Sequence, residues 1–417
     1  MKKLLVKGPA LSVSGYGEQC RFALRAMREY EDRFDIFLHN INWGRTGMLA
    51  EDTEERTWIE YLIAKTAQYV QQGGTFDISL QVTIPNEWEK IAPINIGYTA
   101  GIETTKIAPQ WIEPSNMMDK IIVVSEHAKY GFVNTRYPAR NQQTGEERMF
   151  GIDTPVEVVH YSVRAPEPQA LDLQLSTDFN FLSVAQWGPR KNLEATIVSF
   201  MEEFYEEENV GLVLKTSLAR SCTIDRLSCE QRLEKVLTTY PDAKCKLHLL
   251  HGTMSPEELA GLYTHPKIKA IVSTTHGEGF GLPLFEAACT GLPVIAPNWS
   301  GHVDFLYAPV KDKKTGKVRN RPHFTKIDYE IHKIQAQAVW DGVLTADSSW
   351  CFAKKGSARN AMREVYTQLD KKVVLAKHLK KTIEENFASE RIYGQFADHV
   401  YEPDTQWEAD LDQVVEA

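Results

Sequence analysis

Short apolar runs alternate with amphipathic stretches of helical length along most of this 417-residue chain. Residues 4–6 form the first run, a glycine-bearing loop follows, and 19–30 then read as a helix. The pattern repeats at 35–38 and 57–72 and continues with apolar runs at 78–80, 94–98 and 120–124, the last leading into a helical 126–134. After 156–159 comes Arg164-Ala-Pro-Glu-Pro-Gln-Ala170, a proline-bearing polar stretch with the composition of a linker. The alternation then restarts, with runs at 179–184, 211–215, 246–250, 268–272 and 294–296 and helices from 192, 225, 255 and 282. Residues 357–393 are helical in pattern, and an acidic tail follows. Strands alternating with helices predict an α/β fold of doubly wound parallel sheets, and the restart predicts two such units, expected over 1–165 and 175–390. Ligands of such sheets sit at the carboxyl ends of strands, here in a cleft between the units.

The length agrees, since a single core stops growing near ~250–300 residues. At 43% hydrophobic and 25% charged residues the chain is ordinary globular material, which excludes wholesale disorder. No run approaches the ~18 apolar residues of a membrane span. Two lysines followed by a few apolar residues at the start read as a buried strand, short of the ~7–15 apolar residues of a signal peptide, so a cytoplasmic location is expected. Forty-seven basic against fifty-six acidic residues give −9, which argues against a chain that binds polyanions over its whole surface. The six scattered cysteines read as reduced thiols. One segment breaks the alternation: Lys311, Lys313, Lys314, Lys317, Arg319, Arg321 and Lys326 share it with a single acid, Asp312. A solvated surface loop is the favoured reading, and contact with an anionic polymer the other.

Candidate chemistry concentrates in Thr275-His-Gly-Glu-Gly-Phe-Gly-Leu-Pro-Leu-Phe-Glu-Ala-Ala-Cys-Thr-Gly-Leu-Pro-Val-Ile-Ala296. A strand runs into glycines, a helix begins, and a Gly-Leu-Pro turn leads to the next strand. Glycines let the backbone approach a ligand, and a helix N-terminus offers free N–H groups to phosphate or sugar oxygens. Glu278 falls in the loop and Glu286 about a turn into the helix, so both are able to face one elongated ligand. The whole string resembles the E-x7-E signature of the retaining glycosyltransferases of family 4, which have the GT-B fold of two Rossmann-like domains facing a cleft. The resemblance implies that Glu278 contacts the donor sugar and Glu286 the nucleotide ribose. Backbone at Gly279, Phe280 and Gly281, with Leu282 opening the helix, would meet sugar hydroxyls and phosphate.

Further matches follow. In Ser183-Val-Ala-Gln-Trp-Gly-Pro-Arg-Lys-Asn192, Lys191 takes the family's diphosphate lysine position; Gln186 stands where the family has an arginine, and Arg190 is the candidate to replace its charge. The loop Gly8-Pro-Ala-Leu-Ser-Val-Ser-Gly-Tyr-Gly-Glu18 is similar to the family's glycine-rich loop, which implies Gly15, Tyr16 and Gly17 near the transferring sugar. Where many members carry a histidine, this chain has Gly101-Ile-Glu103, making Glu103 a catalytic candidate beside Lys191 and Glu278; His127 reads as a helix N-terminal residue. The family's last helix crosses back to the first domain, the expectation for 391–417. No Asp-x-Asp suited to a metal–diphosphate is found, so the resemblance implies metal-independent, retaining transfer with no cofactor. The resemblance implies a nucleotide-sugar donor (UDP favoured, GDP possible) and a hydroxyl-bearing glycan as acceptor, or alternatively a hydroxylated base in DNA. A nucleotide-sugar epimerase and a non-catalytic binding relative are the competing classes.

Overall fold

The computed structural model describes residues 1–44, 46–140, 145 and 147–402; the acidic tail beyond lies outside the described residues. Two six-stranded parallel sheets dominate. The first contains β1 (Lys2–Gly8), β2 (Phe34–Asn40), β3 (Ile78–Val82), β4 (Ile94–Thr99), β5 (Lys120–Val123) and β6 (Val156–Val158), in the order β6-β5-β4-β3-β1-β2. The second contains β7 (Phe179–Gln186), β8 (Val210–Ser217), β9 (Lys246–His251), β10 (Ile268–Val272), β11 (Val294–Pro297) and β12 (Thr325–Ile327), in the order β9-β8-β7-β10-β11-β12. Strands covered by helices on both faces bury both sets of side chains. Thus Leu4 and Val6 are buried on one face of β1 and Leu5 on the other.

The helices are α1 (Gly15–Arg28), α2 (Glu54–Gln71), α3 (Glu126–Asn134), α4 (Leu193–Glu203), α5 (Thr223–Leu237), α6 (Pro256–Thr264), α7 (Leu282–Thr290), α8 (Lys355–Thr367), α9 (Leu369–Asn386) and α10 (Ser389–Val400). Their starts follow local chemistry. The Ser14 hydroxyl accepts from the Gly17 N–H, and Ser255 forms a reciprocal capping box with Glu258 at the start of α6. The helical stretch expected over 357–393 is divided among α8, α9 and α10.

Residues between β6 and β7 form no regular element and cross between the sheets. This crossing is fastened to the end of α9, because the Val163 N–H donates to the Phe387 carbonyl at 2.8 Å. Helix α10 then packs on α1 of the first sheet's layer. Phe22 meets Phe396 with ring centroids 5.4 Å apart, and Arg33 pairs with Asp398 at 2.8 Å.

The segment expected as a surface loop is instead an antiparallel hairpin, Tyr307–Lys311 against Val318–Pro322, followed by β12 at the sheet edge. Asp312 explains the tight turn: its carboxylate accepts the N–H groups of Lys314 and Thr315 at 2.9 and 2.8 Å. Lys326 belongs to β12 and lies over the Tyr307 ring. The exposed cations themselves fit the solvated reading. Two further hairpins, Arg136–Arg140 with Glu147–Gly151 and Tyr329–Lys333 with Ser349–Ala353, lie outside the predicted alternation.

Candidate functional site

The site is built where β7, β10 and β4 end. After β7, Pro189–Lys191 forms a single 3-10 turn and Asn192 reverses the chain with a left-handed φ of 51° before α4 starts. Asn tolerates that conformation better than most residues. Here it is locked by its side-chain amide donating to the Thr274 carbonyl at 3.1 Å and by the Thr274 hydroxyl donating to the Asn192 carbonyl at 2.9 Å. The reversal aims Arg190 and Lys191 at the glycine-rich loop after β10.

There, Glu278 is buried and accepts from Lys191 Nζ at 2.7 Å on both carboxylate oxygens. The Arg190 guanidinium donates to Glu278 Oε2 at 3.1 Å and to the Gly277 carbonyl at 2.7 Å. Its other terminal nitrogen lies 3.5 Å from Glu103 Oε1, which comes from the loop after β4. Two cations and two carboxylates from both sheets therefore form one balanced cluster. Its loops approach backbone to backbone: a Cβ at Gly277 would lie 2.1 Å from the Glu103 carbonyl oxygen, and one at Gly279 2.3 Å from that of Ala100. Glycine is required at this contact by sterics alone.

Burial opposes ionisation of Glu278, but the Lys191 ammonium and then Arg190 outweigh it and hold the carboxyl at about 2 against an ordinary 4.5. Burial and the neighbouring guanidinium push the Lys191 ammonium below its usual value, with Glu278 pulling back. Glu278 is an anion, fixed also by its own N–H donating to the Ser300 hydroxyl at 2.9 Å.

Glu286 has a different setting. It lies in a cavity lined by Glu18, Arg25, Arg164 and Leu282, where the Tyr263 hydroxyl donates to it at 3.0 Å. Burial raises its carboxyl to about 7 in spite of that hydrogen bond. The two acids of the signature thus face separate recesses. The Phe280 ring is core material, packed 5.0 Å from both Phe285 and Phe305, which leaves its backbone for a ligand. Gly281 takes a left-handed φ of 94° and opens α7 at Leu282.

The first-loop residues divide similarly. Gly15 borders open space. Tyr16 is tied to the end of β4 by a 2.7 Å hydrogen bond to Thr99, and its ring meets Trp43 at 4.4 Å. Gly17 faces inward, where a Cβ would collide with the Ser12 carbonyl, and its N–H is already taken by Ser14. Gln186 turns toward the end of β8 and donates to the Leu218 carbonyl, away from the cluster that Arg190 joins.

His127 is the helix N-terminal residue that its sequence position suggested, and Trp299, which the sequence did not single out, lies beside it. The imidazole sits in the first turn of α3 with its edge against the Trp299 ring, centroids 4.7 Å apart. Burial drives its value down to about 4, so it is neutral, and its Nε2 has no partner among the described residues. No spacing signal marks either residue, because they meet only when the two sheets face each other.

No protein-family model matches the sequence. Over 127 residues the chain is 35% identical to the serotype-specific mannosyltransferase WbdA of Escherichia coli; the match spans 30% of this chain and only 14% of that protein. Solved structures resemble it over nearly its whole length. HepE from Anabaena, in complex with UDP and glucose, aligns with a TM-score of 0.56 at 14% identity over 95% of this chain and 99% of its own. Sucrose-phosphate synthase from Thermosynechococcus elongatus gives 0.60 at 12% over 95% and 98%. The chain has the GT-B fold. A glycosyltransferase from Rickettsia africae gives 0.57 at 13% over 96% and 99%. In GT-B terms, the charge cluster stands at the strand ends that face each other across the interdomain cleft, with β7 and β10 on either side of the second sheet's switch point.

Proposed function

We propose that the protein transfers a sugar from a nucleotide-sugar, UDP-linked in preference to GDP-linked, to the hydroxyl of a glycan, with retention and without a metal ion. The observation that carries this reading is the cluster of Lys191, Arg190, Glu278 and Glu103 at facing strand ends of a GT-B cleft. Breaking the bond between the sugar's anomeric carbon and the diphosphate requires the departing charge to be stabilised. Lys191 and Arg190 supply fixed cations for it, together with N–H groups at the start of α7. Glu278, released from these cations by the incoming diphosphate, is then free to accept hydroxyls of the donor sugar. Glu286 would receive the ribose, and its carboxyl, raised to about 7, is in its protonated form both donor and acceptor. The new bond forms from the acceptor oxygen to the anomeric carbon, and the acceptor proton passes to the departing phosphate. Glu103, beside Arg190, orients that guanidinium.

An epimerase would need histidines free for acid–base work. His276 and His302 at this cleft each have a ring nitrogen bonded to a backbone carbonyl, at 2.6 and 2.7 Å, and their other nitrogens face Gln335 and Ser300, so of these and His127 only His127 keeps an unbonded ring nitrogen, and no cluster of free histidines forms among the described residues. Among the described residues one metal-ligand set stands out, Asp225, Cys229 and His251, but Asp225 already accepts three backbone N–H groups and the His251 ring. The test is a screen of UDP- and GDP-sugars, GDP-mannose included, against simple glycans and hydroxymethylated DNA, with and without EDTA. Release of UDP or GDP that survives the chelator is expected. Failure to bind or consume any nucleotide-sugar would sink the reading, and restoration of chelated activity by manganese would overturn its metal-free form.

A further inference from the structure

Between the strands Tyr329–Lys333 and Ser349–Ala353, residues 334–348 form a strap across the cleft. Its base is tied to the donor side. Gln335 lies 2.8 Å from His276 Nε2 and accepts from Trp350 Nε1 at 3.1 Å, while the His276 ring stacks on Trp350. The short turn Ala336–Ala338 packs on Pro189–Lys191, so the strap passes beside the charge cluster. Its far side is tied to the first sheet's layer. Val343 is buried in the apolar cluster of that layer against which Tyr16 and Trp43 also pack. Ser349 and Thr105 exchange hydrogen bonds of 2.8 and 3.1 Å, and Lys106 pairs with Asp347.

Between these anchors stands Trp340, the single exposed tryptophan among the described residues, at 57%. Its backbone is held by a tight turn, with Trp340 and Leu344 exchanging N–H···O bonds of 3.0 and 2.8 Å. An indole left in water forgoes the stabilisation of a buried aromatic side chain. Beside it is Asp341, exposed and without an ion pair among the described residues. A flat apolar ring next to a free carboxylate complements the face of a sugar, whose C–H groups cover the ring and whose hydroxyls donate to the acid. A phosphate-bearing polymer would instead bring its charge against Asp341, and the basic residues 311–319 lie on another hairpin.

We infer that Trp340, with Asp341, is an acceptor subsite that stacks a neutral sugar residue of a glycan beside the donor cluster. The inference rests on the glycosyltransferase reading and names its acceptor class. The test is saturation-transfer NMR on the full chain, with UDP present, against a fixed panel of mannotriose, maltotriose, cellotriose and chitotriose. Wild type should bind at least one of them, W340A should weaken that binding about tenfold, the scale of a lost aromatic contact, and W340F should recover part of it. Calorimetric titration of UDP into each variant reports separately on the fold and the donor side. Binding by no member of the panel, or undiminished binding by W340A, overturns the subsite. Absence of UDP binding with glycan binding intact sinks the donor reading and leaves the subsite standing.

Discussion

Replacing Glu278 by glutamine tests the central cluster, because it keeps the shape and removes one charge. The folded value of about 2 against an ordinary 4.5 corresponds to about 3 kcal/mol of stability at neutral pH. This carboxyl is depressed in the fold, so its contribution is complete above about 4.5 and is lost as pH falls toward 2. Glu278→Gln should therefore lower the urea-derived stability at pH 7 by about 3 kcal/mol, and the deficit should shrink below pH 4.5. The substitution also strands two half-buried cations 2.7 and 3.1 Å from a neutral amide. Their mutual repulsion is then relieved by any bound diphosphate. UDP, which lacks the sugar that Glu278 is proposed to hold, should bind the variant about tenfold more tightly, while sugar transfer falls. Adding Lys191→Met to the variant should restore part of the stability, since contacting residues are not additive. Equal stability at pH 7, or UDP affinity that drops in the single variant, would refute the assignment of Lys191 and Arg190 as diphosphate cations balanced by Glu278.

Glu286→Gln should behave oppositely. Its carboxyl is raised to about 7, so wild-type stability is penalised as pH rises from about 4.5 through 7; the variant should match wild type near pH 4.5 and exceed it by about 3 kcal/mol at pH 8. A stability difference independent of pH, measured by denaturant titration, would remove the buried-acid account. On the basic hairpin, Lys313, Lys314, Lys317 and Arg319 make no ion pair among the described residues, and neutralising all four should leave acceptor binding and its salt dependence unchanged. A slope flattened by about 0.9 per lost phosphate contact would instead establish a polyanion acceptor.

The parallel sheets were legible because buried strands write continuous apolar runs, and the helix behind the Ser255 cap starts where expected, whereas α1 starts at Gly15 behind Ser14, ahead of the expected 19. Hairpins were harder. The basic hairpin carries mostly exposed residues, Val310 and Val318 among them, so no apolar alternation marks its strands. The strap's ties to the first sheet's layer join residues more than 200 apart in sequence, such as Thr105 with Ser349, which no local window contains. For the site, Glu278, Glu286 and Lys191 were picked out by the motif resemblance, and the structure brings Lys191 and Glu278 into contact. What the sequence could not give is their orientation, and Glu286 shows it, since it opens on a cavity with Glu18 and Arg164 rather than on the charge cluster.

The backbone decides where Gln186 and Arg190 point. A side chain at the end of β7 and one four residues later are ordinarily not interchangeable, because the strand fixes where each points. Here the chain turns at Pro189–Lys191 and reverses at the left-handed Asn192 that follows, and the Arg190 carbonyl accepts the His276 N–H at 2.8 Å, pinning the turn to the glycine-rich loop. Arg190 thereby reaches Glu278 and Glu103 while Gln186 is left to serve the β8 end. Moving the cation from a strand end to a turn also gives it a carboxylate from each domain as neighbour. A guanidinium in that position is sensitive to cleft opening in a way that one anchored on the strand is not: separating the loops would break its Glu103 contact and leave its Glu278 contact intact. Arg190 and Lys191 thus both stand beside Glu278, and Arg190 is also a link across the cleft.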